Sequence, residues 1–465
     1  MSQIGSPSSP LRVAIIGSGP SAFYAADSLL KRANLAVEVD MYDRLPTPFG
    51  LVRGGVAPDH QKIKSVTKAY DRTAADPHFR FYGNVEYGTD IKLEDLKRHY
   101  HQVLFATGAQ TDRMMDIPGE DLEGSHPATE FVAWYNGHPD FCHLKFDLSQ
   151  ERVAVVGIGN VAMDVARILC RTPEELMQTD IADYALEALR NSKVKEVYVF
   201  GRRGPAQAAF TNPEIREMGH LEDCDVWVPP AEAELDSLSR EDLVKSPDRS
   251  VQTNVEILQE YAQHEWTGKS RRMTFRFLVS PVELGGTDGH VTSMKIVKNK
   301  LSRADNGSLR PKATDAYEEL PVGLVFRSIG YRGVPLPDIP FHERWGVIPN
   351  QLGRVTDTQT NEPVVGLYTA GWIKRGPSGV IGTNKPDAVE TVDSMLADMA
   401  EEKTFAPSNP GVEEAQALIA SRQPRYVTYQ DWLKLDQMEL ARGKEAGRPR
   451  VKFTNVEEML KALGK

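Results

Sequence analysis

Short apolar runs that end in glycine recur along this chain, and each is followed by apolar residues at helical spacing. Leu11–Ile16 (LRVAII) leads into GSGPSA at Gly17–Ala22 and then into FYAADSLLKR, which predicts strand, tight turn and helix. Val37–Tyr42 predicts a second strand closing on Asp43. The same order returns with the strand Arg152–Val156, the turn GIGNVA at Gly157–Ala162, the helix MDVARILCR, and the strand Val194–Phe200 closing on GRRGP. His101–Gly108 and Pro321–Gly330 predict connecting strands. Val365–Gly371 predicts another, running into a glycine-rich loop and a helix from about Pro386.

Two units of one design predict an α/β fold with two Rossmann-like dinucleotide-binding domains. The segment order puts the first domain at both ends of the chain, residues 1–111 and 334–465, with the second, residues 112–333, inserted between them. Within the insert, residues 235–318 alternate charged and apolar positions without a cofactor signal, and Met273–Leu284 predicts meandering strands that widen the domain. The patterns YQDWLKLDQMELARG and NVEEMLKALG predict a helical tail that packs back on the first domain.

The 465 residues are enough for two full cores. With 55 basic and 65 acidic side chains the net charge is -10, which excludes a whole surface built for nucleic acid and leaves room for one local basic patch. No run approaches the roughly 18 apolar residues of a membrane span. The three cysteines, Cys142, Cys170 and Cys224, form no C-x-x-C pair. A disulfide-exchange centre, a cysteine-ligated iron–sulfur cluster and a four-cysteine zinc site are thereby excluded, and no metal is expected. The N-terminal MSQIGSPSSPLR has neither an apolar h-region nor an Arg-rich amphipathic stretch, so a cytoplasmic location is expected.

The turn residues carry the candidate chemistry. Gly17 permits the turn, Gly19 lets backbone approach a pyrophosphate, and Ala22 keeps helix and strand close. The helix N-terminus then offers N–H groups to the phosphates, and Asp43 is placed to bind ribose hydroxyls. Gly157, Gly159 and Ala162 repeat the turn, but the following strand ends in Arg202 and Arg203 with no carboxylate. Two guanidinium groups suit a 2′-phosphate, which predicts NADP at the second site and FAD at the first. Hydride transfer from NADPH to FAD then follows from proximity.

Five stretches make the chain closely resemble the NADPH–ferredoxin reductases of the adrenodoxin reductase type, which are glutathione-reductase-like flavoproteins. They are FGLVRGGVAPDH at Phe49–His60, FYGNV at Phe81–Val85, GNVAMDVARIL at Gly159–Leu169, GRRGPAQAAFT at Gly201–Thr211 and GWIKRGPSGVIGTN at Gly371–Asn384. The resemblance implies that Ala22, Asp43, Leu51, Tyr87, Trp372, Gly379, Val380 and Ile381 hold FAD. It implies that Ile158, Gly159, Asn160, Val161, Arg202, Arg203, Glu214 and Gly379 hold NADP, with His60 and Asp164 beside the reacting rings. Asp43 stands where relatives have Glu, and its shorter side chain is expected to weaken or lengthen the ribose contact. The implied activity is ferredoxin–NADP(+) reductase, an FAD-dependent enzyme passing single electrons to an iron–sulfur ferredoxin. The acidic partner is expected to dock near Lys245, Arg249, Lys269, Arg271 and Arg272. The residues by themselves also leave open an NADPH-dependent flavin oxidase or monooxygenase, and a non-catalytic FAD- and NADPH-binding redox sensor.

Overall fold

The structure, a computed structural model, describes residues 4–246 and 248–465. Its strands are laid down in the order the glycine-ended runs imply. The chain builds β1 (Leu11–Ile16), β2 (Val37–Asp43), β3 (Phe79–Gly83) and β4 (Gln102–Phe105), then crosses over through β5 (Thr111–Asp112). It next forms β6 (Ser125–Pro127), β7 (Arg152–Val156), β8 (Glu196–Gly201), β9 (Cys224–Trp227) and β10 (Arg271–Phe277). An antiparallel trio follows, β11 (Val279–Thr287), β12 (His290–Arg303) and β13 (Leu309–Pro321). The chain returns through β14 (Leu324–Arg327), crosses back at β15 (Tyr331–Arg332), and ends its strands with β16 (Asn350–Gln351), β17 (Arg354–Thr356) and β18 (Pro363–Thr369).

The first sheet has the order β16-β17-β18-β4-β1-β2-β3, so its central strands come from both ends of the sequence. The second, β6-β14-β7-β8-β10-β9, is parallel throughout and lies wholly inside the insert. β5 and β15 pair where the chain passes between the two. Parallel strands must be covered on both faces, and the sequence supplies apolar residues on both. Along β1, Val13 and Ile15 join the core under the helix Pro20–Leu30, while Ala14 and Ile16 join the core on the opposite face. The second sheet is covered by helices on one face, and on the other Ala154, Val156 and Phe200 meet Leu284, Met294 and Ile296 of the antiparallel trio.

The expected meander over Met273–Leu284 is corrected in its first half. Met273–Phe277 belongs to β10, a parallel strand lodged between β8 and β9. Its Arg276 is buried because Glu232 and Glu318 hold its guanidinium at 3.0 and 2.8 Å. The meander starts only at Val279.

The C-terminal tail reaches further than a return to the first domain. The helix Tyr429–Glu445 packs there through Trp432, edge-on to Phe49, and its buried Glu439 accepts from Arg53 and Arg450. Beyond it, residues 448–452 strap onto the insert: Arg448 donates to the Thr179 carbonyl at 3.1 Å and pairs with Asp183. Lys452 donates to the Asn136 carbonyl at 3.1 Å, and Lys64 and Lys452 share the buried Asp180 at 2.7 and 3.4 Å. Such charges stay buried only while the partner is in place, so the strap favours one arrangement of the two sheets. Among the described residues no helix is long and apolar enough to cross a membrane.

Candidate functional site

Both glycine turns have the same division of labour. At Gly17 (φ 101°) an added Cβ would stand 2.6 Å from the Ala106 carbonyl oxygen, and at Gly157 (φ 138°) 2.1 Å from that of Ser328. A neighbouring strand end therefore forces glycine at the first position of each turn. At Gly19 and Gly159 an added Cβ would meet no atom within 4 Å. These two residues are the N-caps of the helices Pro20–Leu30 and Asn160–Cys170, and neither helix has a side-chain cap or an acid in its first turn. Uncapped N–H groups facing an open cradle suit a pyrophosphate. Ala22 and Ala162 are fully buried where helix meets strand.

The corners beyond the turns differ in charge. Asp43 ends β2 and accepts from the backbone N–H of Ser18 at 3.1 Å, from the Ser18 hydroxyl at 2.5 Å and from the backbone N–H of Leu45 at 2.9 Å, which seats its carboxylate against the first turn. Burial raises its pKa against the pull of these hydrogen bonds. Past β8 the exposed Arg202 and half-buried Arg203 follow, with no ion pair to either among the described residues. Burial lowers the Arg203 pKa, helped by the neighbouring charges of Arg202 and Arg310. The loop after this corner is pinned to the second turn, since Ala209 N–H donates to the Ile158 carbonyl at 2.8 Å and Thr211 N–H to Asn160 Oδ1 at 2.9 Å.

Between the two sheets lies a charged cluster that the sequence only half revealed. Arg167, fully buried one turn after Asp164, donates to Asp164 at 2.6 Å, to Asp59 at 2.7 Å and to Glu214 at 3.0 Å. Arg171 binds Asp59 at 2.7 Å and Glu217 at 2.7 Å. His60 sits among them, its Nδ1 at 3.9 Å from Asp164 and 3.8 Å from Glu214, its Nε2 at 3.4 Å from Glu217. His60, Asp164 and Glu214 thus lie together. Asp59, Arg167, Arg171 and Glu217 were missed; the one available signal was charged residues spaced by three and four along an otherwise apolar helix.

Burial raises the pKa of Asp164 and of Glu214, with Arg167 and His60 opposing it in both. Asp59 goes the other way: burial would raise it, but Arg167 and Arg171 hold it well below the usual carboxylate range. Burial would also lower His60, yet the Glu217 hydrogen bond and the Asp59 and Asp164 carboxylates outweigh burial and Arg167, and keep it above its ordinary 6.5. A raised histidine contributes stability that is complete below the unfolded pKa and lost as pH rises through the folded one. Wild type and His60→Asn are expected to differ most in Tm below about pH 6.5 and to converge as pH rises, by calorimetry. A gap that widens with pH would contradict the protonated imidazole.

The remaining residues expected at the first cradle are placed less uniformly. Gly371 packs on Ser21, and the short helix Trp372–Arg375 is tied to the helix Asn384–Ala400 because Asp387 accepts from Gly371 N–H at 2.6 Å and pairs with Lys374 at 3.1 Å. Trp372 is half-buried rather than a core indole, its Nε1 donating to the Ser378 carbonyl at 3.2 Å. Gly379 and Val380 are exposed, Ile381 is half-buried, and Leu51 is exposed after Gly50. Tyr87 is buried with its hydroxyl on the Pro337 carbonyl at 2.8 Å, so only its backbone is available to a ligand.

The five candidate docking bases fall at two ends of the second sheet. Lys269, Arg271 and Arg272 lie at the amino end of β10, a strand length of roughly 20 Å from the carboxyl ends where the cradle opens. There Lys269 donates to the Leu221 carbonyl at 2.7 Å, Arg271 lies 3.9 Å from Asp223, and Arg272 stacks on Trp266 at 3.7 Å. Lys245 and Arg249 are near the cradle: Asn212, next to the pinned Thr211, donates to the Ser250 carbonyl at 2.8 Å. Lys245 pairs with Glu241 at 2.5 Å on the surface.

Comparison with known proteins places this geometry among relatives. Residues 11–199 match the family model of pyridine nucleotide-disulphide oxidoreductases. The NADPH-ferredoxin reductase FprA of Mycobacterium tuberculosis is 48% identical over 462 residues, covering 97% of this chain and 99% of the relative. The mitochondrial NADPH:adrenodoxin oxidoreductase of Arabidopsis thaliana is 41% identical, covering 98% of this chain and 96% of the relative. The solved structure of M. tuberculosis FprA in complex with NADPH superposes with a TM-score of 0.91 at 46% identity, covering 98% of this chain and all of that one.

Proposed function

The chain belongs to the NADPH–ferredoxin reductases of the pyridine nucleotide-disulphide oxidoreductase family, and from that premise we infer how its own residues divide the work. It is a ferredoxin–NADP(+) reductase that uses FAD and NADP(H). What FAD supplies when bound is the exchange between a two-electron donor, NADPH, and a one-electron acceptor, an iron–sulfur ferredoxin.

One observation supports the placement of the two nucleotides: two open cradles of the same build, one with a carboxylate at its corner and the other with an arginine pair that has no ion pair among the described residues. Gly17, Gly19 and Ala22 form the pyrophosphate seat for FAD, with Asp43 toward the ribose and Leu51, the Tyr87 backbone, Trp372 and Gly379–Ile381 around it. Gly157–Val161 form the seat for NADP, with Arg202 and Arg203 on the 2′-phosphate. We place the limits of the insert at 112 and 333, where β5 and β15 carry the chain across.

His60, Asp164 and Glu214 orient the nicotinamide side. Asp59 fixes the loop that carries His60 by binding two arginines of the NADP-side helix, so the imidazole is held at one position relative to Asp164. His60 bonds Glu217 through Nε2 and turns Nδ1 toward Asp164 and Glu214, and its raised pKa favours the imidazolium that offsets their charge. Of the five bases, Lys245 and Arg249 are the docking candidates for the acidic ferredoxin, because they stand at the cradle end of the sheet.

The test is a yellow holoprotein that NADPH bleaches anaerobically and that reduces cytochrome c only when a ferredoxin is added. Arg249→Glu is expected to lower the ferredoxin-linked rate several-fold at low salt and little at high salt. Bleaching without onward transfer would favour the oxidase or sensor reading, and a salt-independent rate would remove the basic patch.

A further inference from the structure

Gly379, Val380 and Ile381 lie on the loop between the helices Trp372–Arg375 and Asn384–Ala400, and the chain itself does little to fix that loop. Gly376 and Gly379 have φ of 81° and 80°, and glycine leaves a segment many alternative shapes. Arg375 supplies the missing restraint. Its Nη1 donates to the Ser378 carbonyl and, at 3.2 Å, to Ser378 Oγ, while its Nη2 donates to Asn384 Oδ1 at 2.9 Å and to Thr383 Oγ1 at 3.2 Å. Its Nε lies 3.5 Å from Asp387 Oδ1, so each of the three nitrogens faces a protein acceptor.

The acceptors pass the restraint on. Thr383 Oγ1 donates to the Val380 carbonyl at 2.7 Å, Asn384 Nδ2 to the Ile381 carbonyl at 3.0 Å, and Trp372 Nε1 shares the Ser378 carbonyl with Arg375, at 3.2 Å. The indole and the carbonyls on both sides of Gly379 are therefore tied to one side chain. The flanking helices do not depend on it, since Asp387 binds Gly371 N–H at 2.6 Å and Lys374 at 3.1 Å without its help.

We propose that Arg375 is a positioning residue for hydride transfer, bracing residues 376–383 so that Trp372 and residues 379–381 present one fixed surface to the two nucleotides. The inference rests on the assignment of Trp372 and residues 379–381 to FAD, and of Gly379 also to NADP. Reacting atoms must approach to about 3–3.5 Å, and a misplacement of about 1 Å can cost about a hundredfold in rate. A loop that samples several shapes spends part of its time outside that tolerance.

The experiment uses the full FAD-loaded chain, with amide exchange of residues 376–383 followed by mass spectrometry and anaerobic flavin bleaching followed by stopped flow. Arg375→Ala is expected to keep FAD at full stoichiometry and to exchange the loop amides about tenfold faster. Its limiting rate at saturating NADPH should fall about tenfold while the half-saturating NADPH changes less than twofold. Arg375→Lys should stay close to the alanine variant, because one ammonium cannot reproduce a fork that reaches three residues at once. Recovery by lysine, or a raised half-saturation with an unchanged limiting rate, would overturn the proposal and make Arg375 a charge for the nucleotide. An unchanged limiting rate with faster exchange, or loss of bound FAD, would overturn it as well. Gly379→Ala, whose Cβ would run into Thr383, is measured alongside. If it too leaves the rate unmoved, the assignment of the loop to the nucleotides falls; if it slows bleaching and Arg375→Ala does not, Arg375 alone is dismissed.

Discussion

Gly19→Val is expected to give a folded protein that purifies without colour, and Gly159→Val a yellow one that NADPH no longer bleaches. Both positions have backbone angles open to any residue, with φ of -79° and -111° in the extended region. At neither would an added Cβ come within 4 Å of another atom, so the branch point of the side chain meets open space. The side chains would stand over the helix N-termini, in the space a pyrophosphate needs. Tm of the unliganded protein should stay within a few degrees of wild type, while the visible spectrum loses the flavin or the response to NADPH. The neighbours Gly17 and Gly157 supply the contrast. Alanine there combines positive φ with a carbonyl closer than 2.7 Å, and costs stability of about 1–3 kcal/mol or more whether or not nucleotide is bound. A Gly19→Val protein that retains FAD at full stoichiometry would show that the first cradle is not the flavin seat.

Arg167→Met is expected to be the most damaging single change at the junction of the two sheets. It removes the one cation shared by Asp59, Asp164 and Glu214 and leaves three carboxylates with little access to water. Removing one partner from a buried ion pair costs about 3–5 kcal/mol, a large part of the 5–15 kcal/mol by which a typical protein is stable. The sign of the pH dependence is fixed by Asp59, whose pKa is held down in the folded protein. Such a carboxylate contributes stability above its unfolded pKa and loses it as pH falls through the folded one. The difference between wild type and Arg167→Met is therefore largest near neutral pH and shrinks in acid, where the orphaned carboxylates take up protons. Chemical denaturation across pH measures it. A cost below about 1 kcal/mol at neutral pH would mean that the carboxylates do not depend on Arg167.

The parts of this molecule that were legible in the sequence are those governed by near neighbours in the chain. β1 and β7 run over the residues their apolar patterns mark, Leu11–Ile16 and Arg152–Val156. The helix after each turn begins earlier than its apolar spacing suggests, at Pro20 and Asn160, because helices extend to the glycine that caps them. The contrast between Asp43 and the Arg202–Arg203 pair was equally readable, since each lies at a fixed place after a strand. β10 was read as part of a meander because charged and apolar residues alternate there; in the fold its Arg276 is buried against two carboxylates about 40 residues away on either side. The tail was placed on the first domain alone because nothing in the text around Arg448 and Lys452 announces that Thr179, Asp180 and Asn136 will meet them.

Sequence by itself determined the two turns, the strands that feed them and the sign of charge at each corner. Steric limits on φ, the two-residue and 3.6-residue periods of strand and helix, and the reach of a side chain past a strand end all act over a few residues. The tertiary structure alone decided which charges neutralise one another: Asp59 with Arg167 and Arg171, His60 with Asp164 and Glu217, Lys452 with Asp180. Coulomb energy follows distance in space and the surrounding dielectric, and neither is written in the order of the residues.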